Sequence, residues 1–384
     1  MKGADDVVIV DAGRTSIGKF LGQHKGLTGV DLAVSALATV LKRAGVKGDQ
    51  VDQVIMGNAR GAGLGPNPAR QVAVRAGVPH ERPAFTVNQA CASGLRAIIL
   101  GAEQIRLGEA NLVACGGTES MSNVPFFLPR YREGYRQGDS EVVDAMYKDG
   151  FLCPMAKKVM GATAETLADK LKISRDEQDQ YAAESQRRCE VARKANRFAP
   201  EVVDSVPDEC PRDGVVADKL AKLPPVFRKT GSVSAGNSSG IADGAAFSLV
   251  ARRSFADKLG LPVLARLEAS ATVGVDPEVM GIGPVPAVKK LLEKTGKKLD
   301  DFELVELNEA FAAQVLACLK DLPIDRARLN VWGGSIAIGH PIGCTGTRIV
   351  ATLLNQMKTL GAKRGLATLC VSGGLGVAAS FERD

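Results

Sequence analysis

Sixteen residues near the C-terminus, GGSIAIGHPIGCTGTR from Gly333 to Arg348, restrict what this chain can fold into. Five glycines and Pro341 surround His340, which is poor material for a packed helix or a central strand. Such a stretch is either a turn whose histidine is merely exposed, or a tight loop that brings a ligand against backbone. His340 is one of only three histidines in the chain, so the choice between these readings rests on what else the sequence offers. It offers two cysteines in comparable settings, Cys91 and Cys370, and an Asn-Glu-Ala-Phe box at Asn308.

A chain of 384 residues exceeds one ordinary core and points to two domains plus an insertion. No apolar run reaches bilayer-spanning length, and Asp5 and Asp6 stand where a secretory leader would be apolar. A cytoplasmic protein is therefore expected. The formal charge of +6 is spread along the chain, with no basic arm for nucleic acid. It suits a small polyanionic substrate. None of the eight cysteines forms a Cys-x-x-Cys pair or a zinc spacing, so no metal is expected. Reduced thiols are expected throughout. Cys115, Cys153, Cys189, Cys210, Cys318 and Cys344 read as packing or incidental residues, and His24 and His80 as surface residues.

Strand and helix patterns alternate along the first part of the chain. Val7 to Val10 reads as a buried strand, and Thr28-x-x-Asp31 opens a helix that ends at Gly45. Val51 to Met56 is a strand, and Asn67-Pro68 starts a helix with the asparagine as cap. Phe85 to Val87 leads into Cys91, and an apolar helix runs from Ser93 to about Leu107. Cys91 is then either a thiol at a helix N-terminus, its pKa lowered by the dipole, or a buried residue at a tight junction. Asn111 to Cys115 is a strand closed by Gly116-Gly117. The alternation predicts a mostly parallel sheet.

From 120 to 240 the pattern breaks into prolines and loops around one clear helix, capped by Ser174-x-x-Glu177. Afterwards it resumes. Strands are expected at 247–251, 263–273, 304–307, 366–371 and 377–381, and helices at Pro284 to Thr295, from about Glu309, and from Thr345. Gly343-Cys344-Thr345-Gly346-Thr347-Arg348 can be laid over Cys91-Ala92-Ser93-Gly94-Leu95-Arg96. That echo suggests a duplicated αβ unit whose two loops face one cleft.

A cysteine with a histidine base makes an acyl-accepting nucleophile, and a second cysteine can serve as acid or base. Cys/His/Asn also fits papain-like proteolysis, but the second cysteine and the αβ pattern oppose it. Three segments, Val87 to Ile98 around Cys91, Asn330 to Gly346 around His340 and Thr368 to Ala379 around Cys370, resemble the signatures of the thiolase family. Asn308-Glu309-Ala310-Phe311 resembles that family's Asn-Glu-Ala-Phe box, and the likeness runs from Arg14-Thr15 to the final strand.

The resemblance implies an α/β thiolase fold: two similar αβ halves in a layered α-β-α-β-α sandwich, with an inserted loop domain. The first half would cover 1–119, completed by about 241–264. The insertion would cover 120–240 and carry coenzyme A contacts, and the second half 265–384. The implied activity is CoA-dependent cleavage of 3-ketoacyl-CoA through an acyl-Cys91 intermediate, with condensation of two acetyl-CoA as the alternative. In this scheme Cys91 is the nucleophile and His340 activates it. His340, with a water held by Asn308, stabilises the enolate oxygen. Cys370 is the acid/base, and the N–H groups of Cys91 and Ser372 form an oxyanion hole. Arg212, Phe227, Ala235, Ser239, Met160 and Phe311 match substrate and CoA contacts. CoA and acyl-CoA are substrates, and no permanently bound cofactor is implied. The partners implied are a second copy or copies, as homodimer or homotetramer, and other fatty-acid oxidation enzymes.

Two departures stand out. Ser372 replaces the usual glycine two residues after the second cysteine, which raises a second alternative, a protein that binds acyl-CoA without catalysis. Val159 precedes Met160 where short-chain enzymes place histidine, which favours a degradative enzyme of broader chain length.

Overall fold

The computed structural model describes residues 3–384. Its ten-stranded sheet contains β1 (Val7–Arg14), β2 (Gln53–Asn58), β3 (Ala84–Val87), β4 (Leu112–Ser120) and β5 (Ala242–Arg252) from one half. The other half supplies β6 (Ala265–Gly274), β7 (Leu304–Leu307), β8 (Arg364–Val371) and β9 (Leu375–Glu382). The order is β7-β8-β9-β6-β1-β5-β4-β2-β3, with the two-residue strand Gly18–Lys19 beside β5. Within the described sheet the two halves pair over Val8 and Ile9 of β1, which face Arg266 and Ala265 of β6. This narrow seam leaves two half-sheets free to stack.

Period-two alternation decides the stacking. Val8 and Val10 of β1 and Leu112 and Ala114 of β4 pack on helices α1 (Gly29–Ala44) and α2 (Pro68–Arg75). Val7, Ile9, Val113 and Cys115 point the other way, onto α3 (Ser93–Arg106). In the second half Val305, Leu307 and Leu366 pack outward on α6 (Pro284–Thr295) and α7 (Ala312–Asp321). Leu304, Ala367, Leu369 and Phe381 face inward with α9 (Ile342–Leu360). Helices α3 and α9 thus share one core between the half-sheets, giving the layers α-β-α-β-α. Each buried Leu, Ile or Phe side chain in these layers contributes roughly 1.5–3 kcal/mol.

The two central helices meet at glycines. A Cβ on Gly346 would sit 2.2 Å from the Leu95 nitrogen, and one on Gly94 would sit 2.7 Å from the Thr347 nitrogen. The repeated Gly of the sequence echo is therefore the contact between two equivalent helices.

The segment between β4 and β5 carries α4 (Met160–Leu171) and α5 (Arg175–Lys194), the latter with its Ser174/Glu177 capping box formed. Buried Arg14 at the end of β1 fastens this segment. Its Nε reaches Glu201 at 2.7 Å and its Nη1 reaches Asp208 at 2.7 Å.

Several expectations change. The sheet is mixed rather than mostly parallel: β2 is parallel to β3 and β4, and β7 to β8, while the other principal pairings are antiparallel. The cause is that β8 and β9 form a hairpin and β5 returns between β1 and β4. Gly116 and Gly117 lie inside β4 rather than closing it, because β5 and the start of α9 crowd them. Asn67 stands at the N-cap position of α2, but its side chain does not make the capping bond; its amide donates to Ala84 O and its carbonyl oxygen accepts from the Thr86 hydroxyl. A four-residue helix, α8 (Ser335–Ile338), sits inside the glycine-rich stretch. Helix α7 begins three residues later than expected, since Glu309 is held by Tyr181, Ser185, Asn330 and the Ile336 N–H. His24 is buried against Ser16, with Nε2 and the serine Oγ 3.0 Å apart.

Replacing Gly346 by alanine should lower stability by about 1–3 kcal/mol, since the new methyl meets backbone that cannot rotate away. A urea titration measures it, and an unchanged midpoint would contradict the close crossing.

Candidate active site

The ends of α3, α8 and β8 converge on one cavity of about 220 Å³. Cys91, His340, Cys370 and Ser372 line it, as do Met160, Phe227, Ser239 and Phe311. Phe227 and Phe311 meet edge to face, 6.0 Å between centroids.

Cys91 sits in the single 3₁₀ turn Ala90–Ala92 that precedes α3. Ala90 has φ of +43°, a strained value for a residue with a Cβ. The turn is held because the Ala90 N–H donates to Asn88 Oδ1, and the Ser93 hydroxyl donates back to Ala90 O. The thiol is half-buried by area, but that area faces the cavity rather than open solvent. Burial pushes its pKa up from the ordinary thiol value; the Ser372 N–H, the charge of Arg60 and the Cys91 N–H pull the other way and do not prevail. Of the two readings of Cys91 the sequence left open, the buried thiol at a tight junction is the one found, because desolvation outweighs the groups that favour the thiolate.

His340 follows Gly339, whose φ of +102° no other residue adopts easily. The imidazole Nδ1 lies 2.6 Å from the Thr345 hydroxyl, which donates its one proton to Pro341 O at 2.9 Å. Nδ1 must then carry the hydrogen, and the lone pair is on Nε2, which is buried and has no partner among the described residues. Burial first, then the charges of Arg348 and Arg60, push the His340 pKa down to about 3. The ring is a neutral base at physiological pH.

Asn308 follows β7, its N–H donating to Thr368 O of β8. Its Oδ1 accepts from the Ser335 hydroxyl at 2.6 Å, and Arg348 donates to that hydroxyl in turn. This fixes the amide with Nδ2 buried and unpartnered. Asn308 is not among the cavity-lining residues, although Ala310 and Phe311, just after it in the chain, are. Cys370 lies at the end of β8, fully buried. Desolvation, and then the neighbouring Cys91, push its thiol well up. Ser372 is not in the left-handed region, where the next two residues, Gly373 and Gly374, both are. A serine is thus accommodated, and its N–H points at the Cys91 sulfur.

Two residues matched at the sequence level lie elsewhere: Arg212 and Ala235 are exposed and do not line the cavity. Sequence reasoning missed Arg60, Phe151, Ile241, Met280 and Ile342 in the cavity wall. Only the glycines after Arg60 hinted at a loop there, and nothing in the string tied that loop to Cys91.

Cys344 is buried packing, its thiol pushed up to about 12 by burial. Among the described residues no group of three or more His, Cys, Asp or Glu could hold a metal ion, and no helix is long and apolar enough to cross a membrane.

Models of the thiolase N-terminal domain and the thiolase C-terminal domain match residues 7–254 and 261–383. The chain belongs to the thiolase family. The thiolase is 47% identical to an acetyl-CoA acetyltransferase of Pseudomonas aeruginosa, over 99% of this chain and 100% of the relative. It is 46% identical to one of Allochromatium vinosum, covering 99% of each. The structure of human mitochondrial 3-ketoacyl-CoA thiolase in complex with CoA superposes with a TM-score of 0.97 at 40% identity, covering 99% of this chain and 98% of that one. The Bacillus anthracis acetyl-CoA acetyltransferase gives 0.95 at 42% identity, over 98% of each. The fold is the thiolase fold, and the protein is an acyltransferase.

Alkylation of Cys91 by iodoacetamide in the ligand-free enzyme should titrate above the ordinary thiol range. Substituting Ser372 by proline, which removes one N–H from the sulfur, should move it higher still. A thiolate already formed at neutral pH would contradict this electrostatic picture.

Proposed function

We propose that the enzyme cleaves 3-ketoacyl-CoA with CoA, giving acetyl-CoA and a shortened acyl-CoA by ping-pong chemistry through an acyl-Cys91 intermediate. The observation that carries this reading is the meeting of two thiols with a neutral imidazole at one apolar cavity. His340 Nε2 takes the Cys91 proton, and the sulfur attacks the 3-keto carbon. The carbon–carbon bond between C2 and C3 then breaks. The electron pair leaves as the acetyl-CoA enolate, whose oxygen faces the Nε2–H just formed and a water on the Asn308 amide. Cys370 protonates the enolate carbon. It then takes the proton of incoming CoA, whose thiolate attacks the acyl-Cys91 carbonyl. The N–H groups of Cys91 and Ser372 hold the tetrahedral oxyanion in these steps.

The apolar Val159 in the cavity wall supports substrates longer than acetoacetyl-CoA. Condensation of two acetyl-CoA is the second reading, favoured by the names of the curated relatives. Met160, Phe227, Ser239 and Phe311 are assigned to the pantetheine and acyl ends. Arg212 and Ala235, both at the surface, are assigned to the outer part of CoA. The residue ranges 1–119 with 241–264, 120–240 and 265–384 serve as first half, insertion and second half. A cytoplasmic homodimer or homotetramer, working beside other fatty-acid oxidation enzymes, completes the reading.

Thiolysis of a 3-ketoacyl-CoA series from short to long chains tests it. Turnover should vanish in Cys91→Ala, and activity beyond acetoacetyl-CoA should separate the degradative from the biosynthetic reading. Proline at 372 should cost about 10²–10³-fold in kcat, whereas Ser372→Gly, which keeps the N–H, should stay near wild type. Because His340 is neutral down to about pH 3, the acid limb of kcat/KM should fall well below the ordinary histidine range. A midpoint at or above that range would show that His340 titrates normally.

A further inference from the structure

Among the described residues that line the cavity, Arg60 alone carries a full charge, and thiolysis does not use it. It follows β2, is 8% exposed and lines the cavity. A guanidinium has five N–H donors, yet among the described residues this side chain makes one hydrogen bond, from Nη1 to Ala59 O at 3.1 Å. Its Nε is buried and unpartnered. The neighbouring buried carboxylate, Glu119, cannot take it, because both Glu119 oxygens are occupied. One accepts from Asn58 Nδ2 and the Arg60 N–H, the other from the Ala59 and Gly343 N–H groups. The slot is also shaped for the guanidinium: a Cβ at Gly150 would lie 2.3 Å from Nη2 and 2.4 Å from Nε.

The cavity lies between two apolar clusters. Met160, Phe227, Phe311 and Cys370 belong to one, and Ala59, Met146 and Ile342 to the other, with Cys91 packed against the second. With the pantetheine arm along Phe227 and Ser239, as proposed above, the acyl carbons of a substrate on Cys91 extend towards Arg60. Arg60 gains little from the catalytic pair itself. A positive charge there favours the Cys91 thiolate and disfavours the His340 imidazolium, and the two effects oppose each other. Against a plain hydrocarbon chain the Arg60 Nε would stay buried without an acceptor, since Glu119 offers its charge nearby but no free oxygen.

We infer that Arg60 selects 3-ketoacyl-CoA substrates whose acyl chain ends in a carboxylate, pairing with that group inside the cavity. The inference rests on the thiolase reading above and names its substrate class.

The test compares 3-oxoadipyl-CoA with 3-oxohexanoyl-CoA, equal in carbon number and different in the terminal group. Wild type should favour the carboxylate substrate in kcat/KM by about 10–100-fold, the range of a charge-assisted pair. Arg60→Leu should abolish or reverse that ratio, and Arg60→Lys should restore part of it. Binding of succinyl-CoA against butyryl-CoA to Cys91→Ala enzyme should show the same preference, which keeps the test valid if Arg60→Leu does not fold. Equal or better use of the methyl-terminated substrate by wild type, or a ratio that Arg60→Leu leaves unchanged, would overturn the inference while leaving thiolase activity intact. No thiolysis of any 3-ketoacyl-CoA would instead overturn the reading on which it rests.

Discussion

The contact between α3 and α9, glycine to backbone in the space between two half-sheets, is the constraint on which the site depends. Each helix begins at a tight loop, one carrying Cys91 and the other following His340. If the helices stood one side chain further apart, the two loops would no longer share a cavity. Glu119 reinforces the arrangement by accepting N–H groups from both sides, Ala59 and Arg60 on one and Gly343 on the other. Burial pushes this carboxyl up to about 6, against the charge of Arg60 and those N–H groups. A change that leaves its oxygens without donors would therefore loosen both loops together.

The polar groups of the site are kept reactive by what they lack. His340 Nε2 and Asn308 Nδ2 are buried without partners because Thr345 and Ser335 occupy the opposite ends of the same side chains. An unpartnered buried donor or acceptor is destabilising by about 1–3 kcal/mol. Two such groups, together with the strained Ala90 next to Cys91, are a concentration of cost that folding alone does not explain. A ligand that bonds to them would recover it, which is the physical sense of a preorganised site.

Much of this was legible in the sequence. The capping boxes at Thr28 and Ser174, the helix from Pro284 to Thr295 and the strands around Cys91 and Cys370 follow from local chemistry that tertiary contacts do not override. The echo of Gly94 and Gly346 was visible too, although its meaning as a helix contact needed three dimensions. Strand direction was not legible: alternation of strands and helices describes β2 to β4, but the return of β5 between β1 and β4 is a long-range choice. Nor was the pKa of Cys91, since the string shows a helix start but not the desolvation that outweighs it. His24 reads as polar loop but is buried, packed against Gly18 and bonded to Ser16 just before it in the chain. Arg60 carried no signal, because an arginine among glycines is ordinarily a surface residue.

The central claim is that Cys91, among eight cysteines, carries the acyl group. The most direct measurement is to mix the enzyme with acetyl-CoA, quench in acid, digest and locate the modification by mass spectrometry. The account predicts one acetyl group, on the peptide containing Cys91, released when CoA is added before the quench. An acetyl group on Cys370 instead, or none under conditions where thiolysis proceeds, would contradict it.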